Sequence, residues 1–216
     1  MKHNSSLENN KSLPDKVAKN KQLQYDFNLL ARDVHCCDLC PRMEGRFRVF
    51  GAKNGPIDAS VLFIAEAPGR LGADRVGIPL SGDQTGRNFE ALLQVARLDR
   101  DAVFITNAVL CNPRNKQGNN ASPNSVEIRN CSQYLSRTIE LLQPRFVITL
   151  GQVALHTLQH IEDHALVLSQ HAGIPHVWHE RWLIPLYHPG PRARIYRPVE
   201  MRKMTFFNLG FLFETK

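Results

Sequence analysis

The chain has 216 residues and carries 27 Lys and Arg against 20 Asp and Glu, which gives a formal net charge of +7. Its 43% hydrophobic and 22% charged content is typical of a globular domain and excludes a disordered chain or a collagen-like repeat. A chain of this length forms one domain or one domain with a tail, and its excess of cations favours polyanionic partners such as nucleic acid or acidic lipid.

The compartment is predicted from what the sequence lacks. The N-terminal residues contain no apolar run of the kind found in secretory signals, and no stretch reaches the roughly 18–20 apolar residues of a membrane span. The cysteines number five, and an odd count argues against a disulfide framework. We therefore expect a cytoplasmic protein, in which a Cys-x-x-Cys spacing indicates metal or redox chemistry.

The order of polar and apolar segments predicts the fold. Residues 1–22 are rich in Asn, Lys and Ser and predict a flexible basic tail, while residues 23–216 predict the folded domain, which begins with a short amphipathic helix. Helical periodicity recurs between four short apolar runs, which predicts a three-layer α/β/α sandwich around a central, mainly parallel four-stranded sheet. These predicted strands are Ser60–Ile64, Ala102–Ile105, Phe146–Leu150 and Trp182–Leu186.

Polar side chains follow three of these runs closely. Glu66 follows the first, Asn107 the second and His188 the fourth. Ligands of open parallel sheets bind beyond the carboxyl ends of the strands, so a carboxylate, an amide and an imidazole are expected on one rim. This combination suits a hydrolytic site with a base, an orienting hydrogen bonder and a charge stabiliser, although three unrelated loop residues would give the same pattern.

Several motifs, taken in order, resemble the uracil-DNA glycosylase superfamily, most closely its iron–sulphur branch, usually called family 4. The resemblance covers roughly residues 34–200, and it depends on the order of the motifs because none is decisive alone. The motifs are Cys37-x2-Cys40, Arg48-Val49-Phe50-Gly51, Glu66-Ala67-Pro68-Gly69, Gly77-Ile78-Pro79-Leu80-Ser81-Gly82, Thr106-Asn107 with Cys111, Cys131, Leu150-Gly151 and Tyr187-His188-Pro189.

This resemblance implies hydrolysis of the N-glycosidic bond of a base that is flipped out of DNA. It implies that Glu66 orients the water or acts as general base, that Asn107 reads the uracil edge, and that His188 donates a hydrogen bond to the carbonyl oxygen that gathers charge. The pocket is expected to be lined by the backbone of Ala67, Pro68 and Gly69 and by the side chain of Leu80.

Four cysteines resemble the cluster ligands of that branch, namely Cys37, Cys40, Cys111 and Cys131. An all-thiolate set suits a [4Fe–4S] cluster, with zinc as the less favoured occupant of the same ligands. We expect the cluster to tie the N-terminal segment to the sheet and to take no part in hydrolysis. Cys36 is the remaining cysteine, and an exchange of Cys36 for Cys37 stays open.

The chain departs from the family pattern at positions that touch the base. Ala65 stands before the Glu where the family usually has Gly, and Leu80 stands where it usually has a Phe that stacks on uracil. Asp83-Gln84-Thr85 replaces the usual Arg-Ala between the two glycines, and Gly190 replaces the usual Ser after His-Pro. Since base–aromatic stacking contributes roughly 1–3 kcal/mol, Leu80 requires another aromatic side chain or a different base.

The cations cluster beside the His-Pro motif. Residues 181–203 hold a net charge of +5, in a segment that includes Gly190, Arg192, Arg194 and Arg197. Phosphate contacts from these three arginines predict DNA binding that weakens steeply with salt, and Arg192 is also a candidate wedge in the base stack. A second pattern, His156, His160 and His164, would form one stripe on a helix and is expected to be an exposed polar face rather than a metal site.

The leading hypothesis is a monomeric iron–sulphur DNA glycosylase that removes uracil or a related deaminated base from DNA in base excision repair. The alternative is a catalytically weak or inactive homologue that binds nucleic acid, and it is motivated by Leu80 and Gly190. A third hypothesis, a nucleotide-binding domain using Pro68-Gly69 as a phosphate turn, is less favoured because the chain has no P-loop or Gly-x-Gly-x-x-Gly sequence.

Overall fold

The N-terminal helix is the first element of the computed structural model, which describes residues 12–214 and the side chains of residues 17–193 and 195–213. Helix α1 spans Ser12–His35 and therefore includes residues 12–22, which the sequence assigned to a tail. Residues 1–11 lie outside the described residues. Phe27, Leu30 and Val34 are buried along one face of α1, as an amphipathic helix requires.

A five-stranded sheet forms the centre of the molecule. Its strands are β1 Val61–Ala65, β2 Phe104–Asn107, β3 Phe146–Leu150, β4 His176–Trp178 and β5 Arg181–Leu186. Their spatial order is β2-β1-β3-β5-β4, with all pairs parallel except β4 with β5. The predicted four parallel strands are confirmed in place, but the predicted total of four is wrong because a fifth, antiparallel strand lies at one edge.

The additional strand escaped prediction for a local reason. β4 has three residues, and it returns to β5 through His179 and Glu180, which have φ values of +47° and +58°. Two-residue hairpin turns of this left-handed type usually contain Asn or Gly, and neither is present here. The short length and the unusual turn residues left no strand or hairpin signal in the sequence.

Helices cover both faces of the sheet and complete the three layers. The remaining helices are α2 Ala73–Val76, α3 Gln84–Val95, α4 Ser125–Leu142, α5 Gln152–Thr157, α6 Leu168–His171 and α7 Val199–Glu214. Leu62 and Ile64 of β1 pack in one apolar cluster with α1, α4 and α5. Val61 and Phe63 point to the opposite cluster, which α3 and α7 cover. This alternation explains why the strands read as continuous apolar runs.

The free edge of β2 is covered by a buried side chain. Asn54 ends a short 3-10 helix, Ala52–Asn54, and its Nδ2 donates to the carbonyl oxygen of Ile105 at 2.7 Å. On its other side β2 pairs with β1 in a register that sets Asn107 opposite Ala65.

Within the described residues, we find no helix with the length and apolar character that crossing a membrane demands.

Candidate active site

The carboxyl ends of β1, β2 and β5 bring the three predicted polar residues to one edge. Asn107 is the last residue of β2 and pairs with Ala65, directly before Glu66. Beyond β5, His188 lies beside the turn after β3, where a Cβ built on Gly151 would be 3.4 Å from the Cβ of His188. Because β1 and β3 are adjacent in the sheet, the carboxylate, amide and imidazole share one rim.

Glu66 is a partly buried carboxylate. Burial raises its pKa above the usual value, and a hydrogen-bonding contact with the Ser122 side chain acts in the opposite direction. The backbone around it is fixed by the sheet, since the Glu66 carbonyl oxygen accepts from Val109 N at 3.0 Å. A carboxylate tuned in this way can accept a proton from water near neutral pH.

Asn107 presents an unused donor to the rim. Its residue is 2% exposed, and its Nδ2 has no hydrogen-bond partner among the described residues. Buried polar groups in proteins are almost always paired, because an unpaired buried donor loses its hydration without compensation. An orphaned amide at the end of a strand, on the rim that also carries a carboxylate and an imidazole, therefore indicates a ligand site.

His188 is held in one tautomer by its own loop. Gly190 N donates to His188 Nδ1 at 3.0 Å, so the ring proton of the neutral imidazole is on Nε2. Burial lowers the pKa of His188 to about 4; the charge of Asp83 acts against this shift and that of Arg202 adds to it. Near neutral pH, His188 is therefore an uncharged donor through Nε2.

Two helices hold the carbonyl groups of the His188 loop. Arg202 of α7 is 5% exposed, and its Nη1 donates to the carbonyl oxygens of Pro189 at 3.2 Å and of His188 at 3.4 Å. Asn88 of α3 donates through Nδ2 to Pro189 O at 2.8 Å. Both residues were missed by sequence reasoning, because an Arg in a basic segment and an Asn on a helix are usually exposed.

The predicted pocket residues after Glu66 form a tight loop. Pro68 is buried, and its carbonyl oxygen accepts from Asn112 Nδ2 at 2.6 Å. Ala67 packs at the border of the cluster formed with α1 and α4. Gly69 approaches Asp83 so closely that a Cβ built at position 69 would be 2.8 Å from Asp83 Oδ2. A side chain at position 69 would therefore have to displace the Asp83 carboxylate, whose other oxygen caps α3 by accepting from Gly86 N.

Leu80 is buried on the side of the sheet that α3 covers. It is 8% exposed, has a φ of +46° and packs in the apolar cluster with Phe89. A leucine in the left-handed region is strained and must be held there by its surroundings. Its predicted contact with a base stays a prediction.

The segment after His188 combines cations with exposed apolar side chains. Gly190 is buried, and a Cβ built there would be 2.8 Å from His188 Nδ1, so a side chain at this position would crowd the imidazole in its present orientation. The 3-10 helix Pro191–Ile195 follows, with Arg192 exposed. Sequence reasoning missed Ile195 and Tyr196, which are 82% and 74% exposed. Large apolar side chains this exposed are typical of interaction sites.

The basic segment 181–203 is not one surface. Arg181 begins β5, at the end of the strand opposite His188, and bonds Gln143 at 2.9 Å. Arg202 is buried beneath the His188 loop. Arg197 packs over the Tyr187 ring with 5.8 Å between its guanidinium carbon and the ring centroid, and the side chain of Arg194 lies outside the described residues. The net charge of +5 therefore overstates the cations available to DNA.

The four predicted cluster ligands lie in one region. Burial raises the pKa of Cys111 to about 11 and that of Cys131 to about 12, and in both cases the nearby thiols of Cys37 and Cys40 add to the shift. All four belong to, or pack against, the apolar cluster beneath α4. Cys36 is exposed. No group of three metal-binding side chains converges on a single ion within residues 12–214.

The cysteine segment is fastened to α4 by polar side chains. Arg42, two residues after Cys40, donates through Nε to Glu127 Oε1 at 2.7 Å. Asn130 Nδ2 lies 3.4 Å from Cys40 Sγ, as a donor to sulphur. These contacts join the Cys37–Cys40 turn to the helix that carries Cys131.

The predicted histidine stripe does not lie on one helix. α5 ends at Thr157, one residue after His156, and a 3-10 turn, Leu158–His160, follows. His164 lies beyond both and bonds Leu155 O through Nε2 at 3.0 Å. The four-residue spacing predicted a stripe on one helix, but α5 is too short to carry all three histidines.

Known proteins resemble this chain along most of its length. The model of the family described as the uracil DNA glycosylase superfamily matches residues 52–208. A Type-4 uracil-DNA glycosylase from Sulfurisphaera tokodaii is 31% identical over 183 residues, which cover 81% of this chain and 78% of the relative. One from Thermotoga maritima is 28% identical over 82% of this chain and 87% of its own length. A Type-5 uracil-DNA glycosylase from Pyrobaculum aerophilum is 29% identical over 63% of this chain and 64% of its own.

Proposed function

The chain belongs to the uracil DNA glycosylase superfamily, and on that premise we propose that it hydrolyses the N-glycosidic bond of uracil in DNA. It is a hydrolase acting on N-glycosyl bonds, as the names of its relatives indicate. The action belongs to base excision repair, in which the damaged base is released and the sugar–phosphate backbone stays intact.

The observation that carries this proposal is the buried, unpartnered Nδ2 of Asn107. Uracil offers a carbonyl oxygen beside an N–H on its pairing edge, and one amide can donate to the first while accepting from the second. Cytosine presents the opposite order of donor and acceptor. A site built to hydrogen-bond one edge rejects the other strongly, because the wrong base leaves the buried amide unpaired.

Glu66 and His188 divide the chemistry. Glu66, when ionised, orients a water and takes its proton as the bond to the base breaks. His188 donates from Nε2 to the carbonyl oxygen of the leaving base, where negative charge gathers. Its low pKa suits this role, since an uncharged imidazole keeps its Nε2 proton and stabilises the anion by a hydrogen bond, without transferring that proton.

DNA approaches this rim from the side of the 3-10 helix Pro191–Ile195. Ile195 and Tyr196 are the first large apolar side chains after His188 that are exposed, and we assign them the wedge that fills the space left by the flipped nucleotide. Arg192 contacts phosphate, as do Arg194 and Arg197 in this proposal. The uracil-containing strand is thus held by charge and opened by an apolar insertion.

A [4Fe–4S] cluster fits the thiol set of Cys37, Cys40, Cys111 and Cys131. Each cysteine of such a cluster binds a different iron, so the sulphurs need not converge on one point, whereas zinc requires four sulphurs at about 2.3 Å from a single ion. The described thiols are neighbours, as either occupant requires, and the resemblance of the chain to the iron–sulphur branch favours the cluster over zinc. When bound, the cluster supplies positive charge that holds thiolates in a buried region, and hydrolysis proceeds on Glu66, Asn107 and His188.

The test of function is base release from a single-stranded and a duplex oligonucleotide carrying one deoxyuridine, followed by alkali cleavage. The wild-type chain should cut at uracil, and Asn107→Asp should lose that cleavage while Asn115→Asp, an exposed asparagine in the loop after β2, should not. Hypoxanthine and xanthine substrates run in parallel. An uncut strand for every deaminated base would overturn the enzyme proposal in favour of a nucleic-acid-binding homologue.

The test of the cofactor is independent of activity. Protein purified without oxygen should be brown and contain iron and acid-labile sulphide. Cys131→Ser should lose both, and Cys36→Ser, which changes an exposed thiol, should keep them. A colourless protein that contains zinc would overturn the cluster assignment.

A further inference from the structure

A buried asparagine joins the cysteine region to the Glu66 loop. Asn112 directly follows Cys111 and is 1% exposed. Its Nδ2 donates to Pro68 O at 2.6 Å and to Asn120 Oδ1 at 3.0 Å. The two protons of this amide nitrogen are therefore both donated, one to the backbone two residues after Glu66 and one to the side chain of Asn120.

Asn120 extends this contact along the same loop. Its Oδ1 also accepts from the backbone N of Arg70 at 2.9 Å. The loop that begins at Glu66 is thus held at the carbonyl of residue 68 and at the amide of residue 70, on either side of Gly69. Two attachment points that flank a glycine restrict the one residue with the greatest backbone freedom.

An ion pair fixes the asparagine itself. Arg114 donates through Nε to Asn112 Oδ1 at 2.7 Å and through Nη2 to Asp74 Oδ2 at 2.6 Å. The Asp74 side chain is buried, and its backbone N donates to Gly69 O at 3.1 Å. The chain of contacts therefore starts and ends on the Glu66–Arg70 segment and forms a closed clamp.

We propose that Asn112 is a positioning residue that holds the Glu66–Gly69 loop in its catalytic geometry, with Arg114 and Asp74 fixing the Asn112 amide. The proposal rests on the catalytic role proposed above for Glu66. An amide suits this position because Oδ1 accepts from Arg114 while the two protons of Nδ2 go to Pro68 and Asn120. A displacement of about 1 Å at a reacting group can cost about a hundredfold in rate.

The experiment compares Asn112→Asp with Asn115→Asp. The two residues lie three apart in one loop, but Asn115 caps an exposed turn, where its Oδ1 accepts from Gln117 N and Asn119 N. The carboxylate that the first change introduces keeps the size of the side chain and faces Pro68 O with no proton to donate. Asn120→Ala, a change at an exposed residue, is the second variant: it removes the contacts of Asn120 Oδ1 with Arg70 N and Asn112 Nδ2 and leaves the bond from Asn112 to Pro68 O in place.

Two readouts separate positioning from general structure. Amide hydrogen exchange in the peptide 66–72 should rise at least tenfold in Asn112→Asp, with a smaller rise in Asn120→Ala and none in Asn115→Asp. The single-turnover rate of uracil release should fall by about tenfold to a hundredfold in Asn112→Asp, while the Kd for DNA and the iron content stay within twofold of wild type.

The outcomes distinguish this proposal from the proposed function. If the wild-type chain releases no base, the function fails and the exchange measurement still tests the clamp. If peptide 66–72 exchanges in Asn112→Asp as it does in wild type, the clamp is overturned whatever the rate. A fall in DNA affinity equal to the fall in rate would also overturn it, because that pattern indicates lost binding and not lost positioning.

Discussion

The Glu66 loop and the His188 loop lie on the same rim of the sheet, but they are built differently. Side chains of a neighbouring loop, Asn112 and Asn120, hold the first through its backbone. Two helices hold the second, through Arg202 and Asn88. The loop that carries the carboxylate therefore depends on the segment after Cys111, while the loop that carries the imidazole depends on the body of the fold.

Burial also acts on the two proposed catalytic groups, with opposite effects on their pKa values. It raises the pKa of Glu66 and lowers that of His188, and so favours the uncharged form of each. The proposed reaction needs His188 uncharged and Glu66 ionised. Desolvation therefore favours the form of His188 that the reaction needs and disfavours the ionised form that it needs of Glu66. The hydrogen bond with Ser122 lowers the pKa of Glu66 and so offsets part of the effect of burial. We therefore expect the loss of activity at low pH to come from protonation of Glu66.

The largest effect is expected from Glu66→Gln, which removes the base and should slow uracil release by about 10²–10⁴-fold. In wild type the rate should fall as the pH drops through the raised pKa of Glu66, because the protonated carboxyl no longer accepts a proton. The variant should lack this acid limb in single-turnover profiles. Glu44→Gln, at an exposed position, is the control. An unchanged acid limb in Glu66→Gln would assign it to another group.

His188→Ala should slow release by about 10²–10³-fold through loss of one donor to the developing anion. The acid limb should stay where it is in wild type, since His188 is already uncharged above a pH of about 4. His156→Ala removes an exposed imidazole and should match wild type. If the fall in rate at low pH shifts to another pH in His188→Ala, that fall depends on His188 as well as on Glu66.

Stability should depend on acid through the same two groups, with opposite signs. The pKa of His188 is about 4 in the folded chain against 6.5 ordinarily, so the unfolded chain binds more protons between these values and stability falls as the pH drops. The loss reaches about 3 kcal/mol at most. Urea unfolding at pH 7 and pH 4.5 should show a smaller loss in His188→Gln than in wild type.

The raised pKa of Glu66 has the opposite effect on stability at low pH. Because the folded chain holds the Glu66 proton more tightly than the unfolded chain, Glu66 contributes stability as the pH falls. Glu66→Gln should therefore lose more stability between pH 7 and pH 4.5 than wild type does. Equal losses in Glu66→Gln, His188→Gln and wild type would mean that neither group is shifted by burial.

The smallest effect is expected from the support beneath the imidazole. Arg202→Lys keeps the charge but shortens the side chain and withdraws the donor that Nη1 presents to both carbonyls, and we expect about a tenfold slower release with unchanged DNA affinity. Lys203→Met, at the exposed neighbour on α7, is the control. If Arg202→Lys weakens DNA binding and leaves the rate unchanged, Arg202 contacts DNA and does not position His188.

Sequence could predict the strands and the rim because both depend on local patterns. The predicted strand Phe146–Leu150 matches the observed one at both ends, and the residues that follow the strands include Glu66 and His188. Supporting residues escaped prediction because burial is decided by tertiary contacts. Arg202 was one of six cations in residues 181–203, and Asn112 one of several asparagines in its loop. Nothing in their spacing marks these two as the buried members.

The hydrogen bond from Asn54 to Ile105 on the free edge of β2 has a consequence for the accuracy of base choice. Side chains alternate along a strand, so a slip of one residue between β1 and β2 would turn Asn107 to the opposite face of the sheet. β2 has a strand neighbour on one side only, and Asn54 holds the other. In the proposed function, the choice of base therefore depends on correct folding, because Asn54 helps to fix the face of the sheet on which the Asn107 amide lies.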